Sequence, residues 1–183
     1  LILKSTQLRL TQIRSLLLWH CMKIFQCLAT FLLIVAGNLN AATLQGKVVG
    51  VADGDTITVL DATNTQHKIR LRGIDAPERA QAFGQKSKQS LHRLVLSKQV
   101  TIDFQKKDKY GRTVGKVVLN GLDVCLEQIK LGMAWHYKQH ESEQSKEDRE
   151  AYAQAELATQ SQSLGLWKDK NPTPPWEFRK QER

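Results

Sequence analysis

Apolar and polar positions alternate through LQGKVVGVADGDTITVLDATNTQHKIRLRGI, residues 44 to 74. The alternation predicts three strands, Gln45–Val51, Thr56–Leu60 and His67–Ile74. Asp53-Gly54 marks a hairpin-type turn, and Asp61 to Thr65 forms a second polar turn. The period then changes. In QAFGQKSKQSLHRLVLS, Ser87, Leu91, Leu94 and Val95 recur near helical spacing, which predicts a helix ending near Leu96. QVTIDFQ and TVGKVVL alternate again, with Gly111 of KKDKYGR as the turn glycine between them. LDVCLEQIKLG predicts a short helix capped by Asp123 and stopped by Gly132. ESEQSKEDREAYAQAELATQSQ predicts a longer helix with Tyr152, Ala155 and Leu157 facing inward. The tail NPTPPWEFRKQER is proline-rich and is expected to be extended. Five strands in two blocks around a helix point to an α+β, mainly β, fold: a five-stranded Greek-key barrel of the OB type with three helices.

The first 42 residues follow another pattern. MKIFQCLATFLLIVAGNLNAA, Met22 to Ala42, runs from a basic residue through an apolar stretch to small residues, as a secretory signal does. The apolar run, Leu28 to Gly37, is short for a membrane span of about 20 residues. We therefore expect translation to start at Met22 and cleavage near Ala41 or Ala42. That would leave a body over residues 43–168, a tail over 169–183, no membrane span, and a secreted or periplasmic location. An uncleaved anchor or a longer leader is the alternative. Of the three cysteines, Cys21, Cys27 and Cys125, only Cys125 would survive processing, which excludes an internal disulfide or a cysteine metal cage. Cys125 is expected to be a small buried residue on a helix.

Charge narrows the partners only slightly. Of 27 Lys and Arg, four (Lys4, Arg9, Arg14 and Lys23) precede Thr43, so the body carries 23 basic residues against 18 acidic ones. A moderately basic body suits an anionic partner such as nucleic acid or an anionic membrane, and equally a solvated surface.

Four short segments concentrate the chemistry: DGDT, RLRGIDAPE, DKYGR and AWHY. Taken singly, each has a bland reading: a hairpin turn, a surface ion pair between Arg70 and Asp75, turn residues at Tyr110 and Arg112. HYKQH has two histidines four apart but lacks the zincin glutamate, so His136 and His140 are read as solvated. Taken together, and in this order, the first three motifs resemble the staphylococcal nuclease (thermonuclease) family over roughly Gln45 to Trp167. The resemblance implies that Asp55 and Asp75 bind calcium through their carboxylates and Ala76 through its backbone carbonyl. It implies Glu78 as the catalytic glutamate, in the role of general base, and Arg70 and Arg112 as the catalytic arginines. It further implies that Tyr110 contacts substrate and that Trp135 and Tyr137 flank the nucleotide. The chain departs from the best-known member in three ways. Ala76 replaces a threonine, Trp135 replaces a tyrosine and so loses its hydroxyl, and the segment after Glu78 is shorter.

These residue types suit phosphodiester hydrolysis. Negative charge grows on the phosphoryl oxygens and must be held. An arginine offers a planar fork of donors with a permanent charge, where lysine offers a point charge. Calcium takes oxygen ligands, and two aspartates with a carbonyl leave room in its shell for water and phosphate. A glutamate beside that cation can take a proton from the attacking water. The resemblance thus implies a monomeric, Ca2+-dependent nuclease acting on DNA and RNA with little sequence preference, attacking the 5′ P–O bond and leaving 3′-phosphate ends. A non-catalytic OB-type nucleic-acid-binding module is the alternative. All three catalytic side chains, at strand ends and loops, are expected to be dispensable for folding.

Overall fold

A computed structural model describes residues 42–182. The expected leader, its start at Met22, Cys21 and Cys27 lie outside the described residues, as does the expected cleavage point apart from Ala42. Among the described residues no helix is long and apolar enough to cross a membrane.

The strands are β1 (Ala42–Val51), β2 (Thr56–Leu60), β3 (Gln66–Leu71), β4 (Ile74–Asp75), β5 (Gln99–Lys107), β6 (Thr113–Leu119), β7 (Leu122–Asp123) and β8 (Trp135–His136). The helices are α1 (Gly84–Val95), α2 (Val124–Lys130), α3 (Lys146–Ser161) and α4 (Pro175–Gln181), with 3₁₀ turns at Lys138–Glu143 and Gly165–Lys168. The sheet order is β3-β2-β1-β5-β6-β7, antiparallel throughout, and β3 then pairs with β6 in parallel. That last pairing closes five long strands into the OB-type barrel that the alternation predicts. Strand β1 serves two neighbours, pairing Lys47 with Leu60 on one side and Gly46 with Val100 on the other. Inward positions are Val48, Ile57, Val59, Ile69, Leu71, Ile102 and Val117, and Leu91, Val95 and Ile129 from the helices close the core.

Local chemistry explains most boundaries. Asp123 caps α2, its Oδ1 accepting from the N–H of Cys125 at 2.9 Å and of Leu126 at 3.1 Å. Ser145 caps α3 by accepting from the Asp148 N–H at 3.1 Å. Cys125 is fully buried on α2, and burial pushes its thiol up to about 12, so it is an inert core residue.

Four expectations need correction. The third strand does not run through to Ile74: it turns at Arg72–Gly73, with Gly73 at φ 76°, and β4 pairs separately with β8. Leu157 faces solvent, and Glu156 and Thr159 take the buried face of α3 beside Tyr152. Glu156 is tolerated there because it accepts from the His136 N–H at 2.9 Å and pairs with Lys138 at 2.6 Å. His136 is buried, its Nε2 3.0 Å from Gln144 Oε1, and only His140 is solvated. The tail is not extended. Pro175 opens α4, where a missing N–H costs nothing, so the prolines start a fourth helix.

Asp123 does more than cap. Its Oδ2 accepts from the Tyr152 hydroxyl at 2.9 Å and lies 3.2 Å from Lys116 Nζ, tying β6, α2 and α3 together. Asp123→Ala removes the cap and leaves the buried Tyr152 hydroxyl without its acceptor. It should cost about 2–4 kcal/mol. Asp123→Asn, which can still cap, should cost less. Urea denaturation of both variants checks this, and equal stability of the alanine variant and the parent would refute it.

Candidate functional site

The turn after β1 is built to a fixed shape. Asp53 Oδ1 accepts from the Asp55 N–H at 3.1 Å, and the Gly54 carbonyl accepts from Gln128 Nε2 at 2.9 Å. Gln128 is fully buried on α2. Its Oε1 accepts from Ser90 Oγ at 2.8 Å, and its amide also reaches the Ser87 carbonyl at 3.3 Å. One side chain thus pins the turn to α1 and α2. Gly54 is required by space: a Cβ there would collide with Ser87 Oγ and lie 2.7 Å from the Ala76 Cβ.

From that turn Asp55 enters β2 beside the end of β3, and its carbonyl accepts from the Leu71 N–H at 2.8 Å. Register places Thr56 opposite Arg70. Arg70 then bridges two carboxylates, with Nη1 2.8 Å from Asp55 Oδ2 and Nη2 2.8 Å from Asp75 Oδ1. Asp75 is 1% exposed and Asp55 6%. Asp55 also accepts from the Ala76 N–H at 2.7 Å and from Thr56 Oγ1 at 3.1 Å. Even so, burial pushes the Asp55 carboxyl up to about 7. Arg70 pulls it down, while the charges of Asp53 and Asp75 add to the push. Asp55 and Asp75 thus share the single guanidinium of Arg70. The Arg70–Asp75 contact is a buried bridge, not the surface pair of the bland reading.

Arg112 comes from the β5–β6 hairpin. Asp108 shapes that turn: its Oδ1 accepts from the N–H groups of Tyr110 and Arg112, each at 2.9 Å, and its Oδ2 from Arg112 Nε at 2.7 Å. Gly111 takes the φ of 78° that the turn requires. Burial works to raise the Asp108 carboxyl, but these donors together more than reverse it and hold it below the ordinary carboxylate value. Arg112 Nη1 lies 3.5 Å from Thr56 Oγ1, which links it to Asp55. Tyr110 is exposed on the hairpin, with the Arg112 guanidinium 5.5 Å from its ring.

Glu78 follows β4 on the Pro77–Phe83 loop, where its N–H donates to Gln81 Oε1 at 3.1 Å. Its carboxylate meets Arg179 of α4 at 2.6 Å, and Arg179 also binds Asp75 at 2.8 Å. Trp135 pairs with Asp75 through β8–β4 and packs edge-on against Trp167 at 4.3 Å and Trp176 at 5.7 Å. Tyr137 stacks on Trp176, centroids 5.5 Å apart and rings 18° from parallel. Asp55, Arg70, Asp75 and Ala76 are thus in direct contact, Arg112 joins through Thr56, and Glu78 joins through Arg179. Tyr110 meets this set only through its ring, 5.5 Å from the Arg112 guanidinium. Arg72 is peripheral, its N–H donating to the Gly115 carbonyl at 2.9 Å.

Sequence reasoning missed three contributors. Gln128 carries no sequence signal, because its partners, two backbone carbonyls and the Ser90 hydroxyl, lie far along the chain. Asp108 was legible as a turn residue two before Tyr110. Arg179 was hidden in a tail read as extended, though Pro175 at a helix start was the signal.

A family model described as staphylococcal nuclease homologue matches residues 68–169. Asp55 precedes that stretch and α4 follows it. An uncharacterized endonuclease of Haemophilus influenzae is 42% identical over 159 residues, which cover 85% of this chain and 86% of that protein. An uncharacterized endonuclease of Escherichia coli O157:H7 is 36% identical over 149 residues, covering 81% of this chain and 93% of the relative. A probable staphylococcal-like nuclease of Oryza sativa subsp. japonica is 37% identical over 118 residues, or 64% of this chain and 34% of the plant protein.

The sequence alone made Arg70 dispensable for folding, but its place between two buried carboxylates argues otherwise. Removing one partner of a buried ionic cluster leaves uncompensated charge. Arg70→Ala should lower stability by about 3–5 kcal/mol in chelator-treated protein. Denaturant titration reads this directly, and a loss below about 1 kcal/mol would show that Arg70 is no structural counter-charge.

Proposed function

The chain belongs to the staphylococcal nuclease family, and from that premise we propose that it is a calcium-dependent nuclease. Its substrates would be DNA and RNA, cut with little sequence preference at the 5′ P–O bond to leave 3′-phosphate ends. The observation that carries this reading is the buried Asp55–Arg70–Asp75 cluster, with Glu78 and Arg112 beside it.

The donor set fits a hard divalent cation. Both acids offer oxygen, and the two carboxylates share the single guanidinium of Arg70. Among the described residues no three His, Cys, Asp or Glu side chains form a metal cage. Asp55, Asp75 and the Ala76 carbonyl would therefore leave much of a calcium shell to water and phosphate. Bound there, calcium would supply charge stabilisation for the phosphoryl oxygens.

The chain's own groups do the rest. Glu78 orients a water in line with phosphorus and takes its proton as the P–O bond breaks. Arg112 keeps Nη2 free of any partner among the described contacts, while Asp108 fixes its Nε, so the fork is aimed before substrate arrives. Arg70 and Arg112 then meet charge that grows on the phosphoryl oxygens. Trp135 and Tyr137 would offer ring faces to a base, a mode that tolerates any base and so suits low sequence preference. A binding module without catalysis needs no buried paired acids, which is why we place it second.

A cleavage assay on single-stranded DNA, with circular dichroism of every variant, tests the reading. Activity should vanish in a calcium chelator and return with calcium. Glu78→Gln should lose about 10²–10⁴-fold in rate while remaining folded. Arg112→Lys should recover little activity, since the fork geometry is lost. A folded parent that binds DNA and never cuts it would leave the binding module instead.

Export to the periplasm or medium is part of the same reading, carried by the signal-like stretch Met22 to Ala42. Mass spectrometry of native protein should find a chain starting near Ala41 to Thr43. A mass that includes Lys4 or Arg14 would contradict it.

A further inference from the structure

Helix α4 lies beyond the stretch matched by the family model, yet it meets the reaction site at two separate points. The first is ionic. Arg179 Nη2 donates to Asp75 Oδ2 at 2.8 Å, and Nη1 reaches both Asp75 Oδ1 at 3.3 Å and Glu78 Oε1 at 2.6 Å. Asp75 Oδ1 already accepts from Arg70 at 2.8 Å. Both oxygens of Asp75 therefore face guanidinium groups, and the residue is 1% exposed. Among the described residues, Arg179 is the only hydrogen-bond partner of the Glu78 carboxylate. The second point is aromatic. Trp176 stacks on Tyr137 and packs edge-on against Trp135, the two rings expected to receive a base.

A carboxylate oxygen that holds a guanidinium N–H cannot offer the same lone pair to a metal ion. A ring face covered by Trp176 cannot take a base. Arg179 is well suited to wait at such a site. Burial works against its charge, but its bonds to Asp75 and Glu78 more than offset that and raise its proton affinity above the ordinary arginine value.

We propose that α4 is a built-in competitor for the site. Arg179 takes the place of cation charge at Asp75 and Glu78 while Trp176 covers the Trp135–Tyr137 platform, so that cation and nucleic acid bind as α4 gives up these contacts. This rests on the calcium reading above.

The test uses the full chain, with calcium binding followed by calorimetry in the absence of nucleic acid. Asp75→Asn should abolish binding and so mark the site. Arg179→Gln removes one charged competitor and should bind calcium roughly tenfold more tightly than the parent. Trp176→Ala loosens α4 without touching a charge. It should also tighten calcium binding, and in chelator it should strengthen binding of a labelled single-stranded oligonucleotide, read by anisotropy. Should Arg179→Gln fail to fold, Trp176→Ala decides alone. Calcium binding that Asp75→Asn abolishes but Arg179→Gln leaves equal or weaker would overturn the competitor and spare the calcium reading. Weaker oligonucleotide binding by Trp176→Ala would make Trp176 part of the platform and also overturn it. No calcium binding by any chain would remove both ideas.

Discussion

Two carboxylates buried at the end of a small barrel set the terms for everything around them. An isolated ionised carboxylate in an apolar interior costs several kcal/mol or more, and the cost falls only with paired charge and hydrogen bonds. Asp55 and Asp75 receive both. Arg70 bridges them, the Ala76 N–H and the Thr56 hydroxyl bond to Asp55, and Arg179 binds Asp75. Burial still outweighs these partners and raises the Asp55 carboxyl. A hydrophobic replacement of similar volume would often be no less stable. The cluster is therefore poorly explained as a stabilising device and better explained as a site.

The scaffold keeps that cluster rigid by placing each member on a braced turn. Gln128 locks the Gly54 turn to two helices, and Asp108 locks the hairpin that carries Arg112. Asp123 holds α2 in place against β6 and α3, and α2 carries Gln128. A disturbance at the Asp123 cap would thus travel through α2 to the turn that presents Asp55. Bracing of this kind limits the reorganisation needed when charge develops on a substrate.

Much of this was legible in the sequence, for identifiable reasons. The barrel strands alternate because one face of each is buried, and the Asp123 cap has a short-range signature. The motif residues Asp55, Arg70, Asp75, Glu78 and Arg112 are picked out by the family resemblance that DGDT, RLRGIDAPE and DKYGR carry together, since singly each segment reads as a turn or an ion pair. What stayed hidden depends on long-range contact. His136 reads as solvated until Gln144 and Tyr152 surround it. Glu156 reads as a surface acid until the His136 N–H and Lys138 reach it. Gln128 looks like any polar helix residue, since its partners lie 74 and 41 positions away. The tail was misread for a local reason: prolines at 172, 174 and 175 suggest extension, whereas Pro175 fits the first turn of a helix.

The last helix follows from the same sharing of one guanidinium. Two carboxylates with only Arg70 between them attract any cation that the chain can deliver, and Arg179 is the one that α4 delivers. A guanidinium satisfies the hydrogen-bonding needs of carboxylates through a planar fork. It carries a single delocalised charge and cannot open several coordination positions to water and phosphate, as a hard divalent ion does. On the proposed reading, Arg179 would be a good placeholder for the folded state and a poor substitute in the reaction. Its hold is shared with Trp176, whose stacking on Tyr137 depends on apolar contact and not on charge. Because ionic and aromatic anchors lie three residues apart on one short helix, loosening either weakens the other. The proposed cation site and base platform would thereby be coupled through a segment that belongs to neither motif.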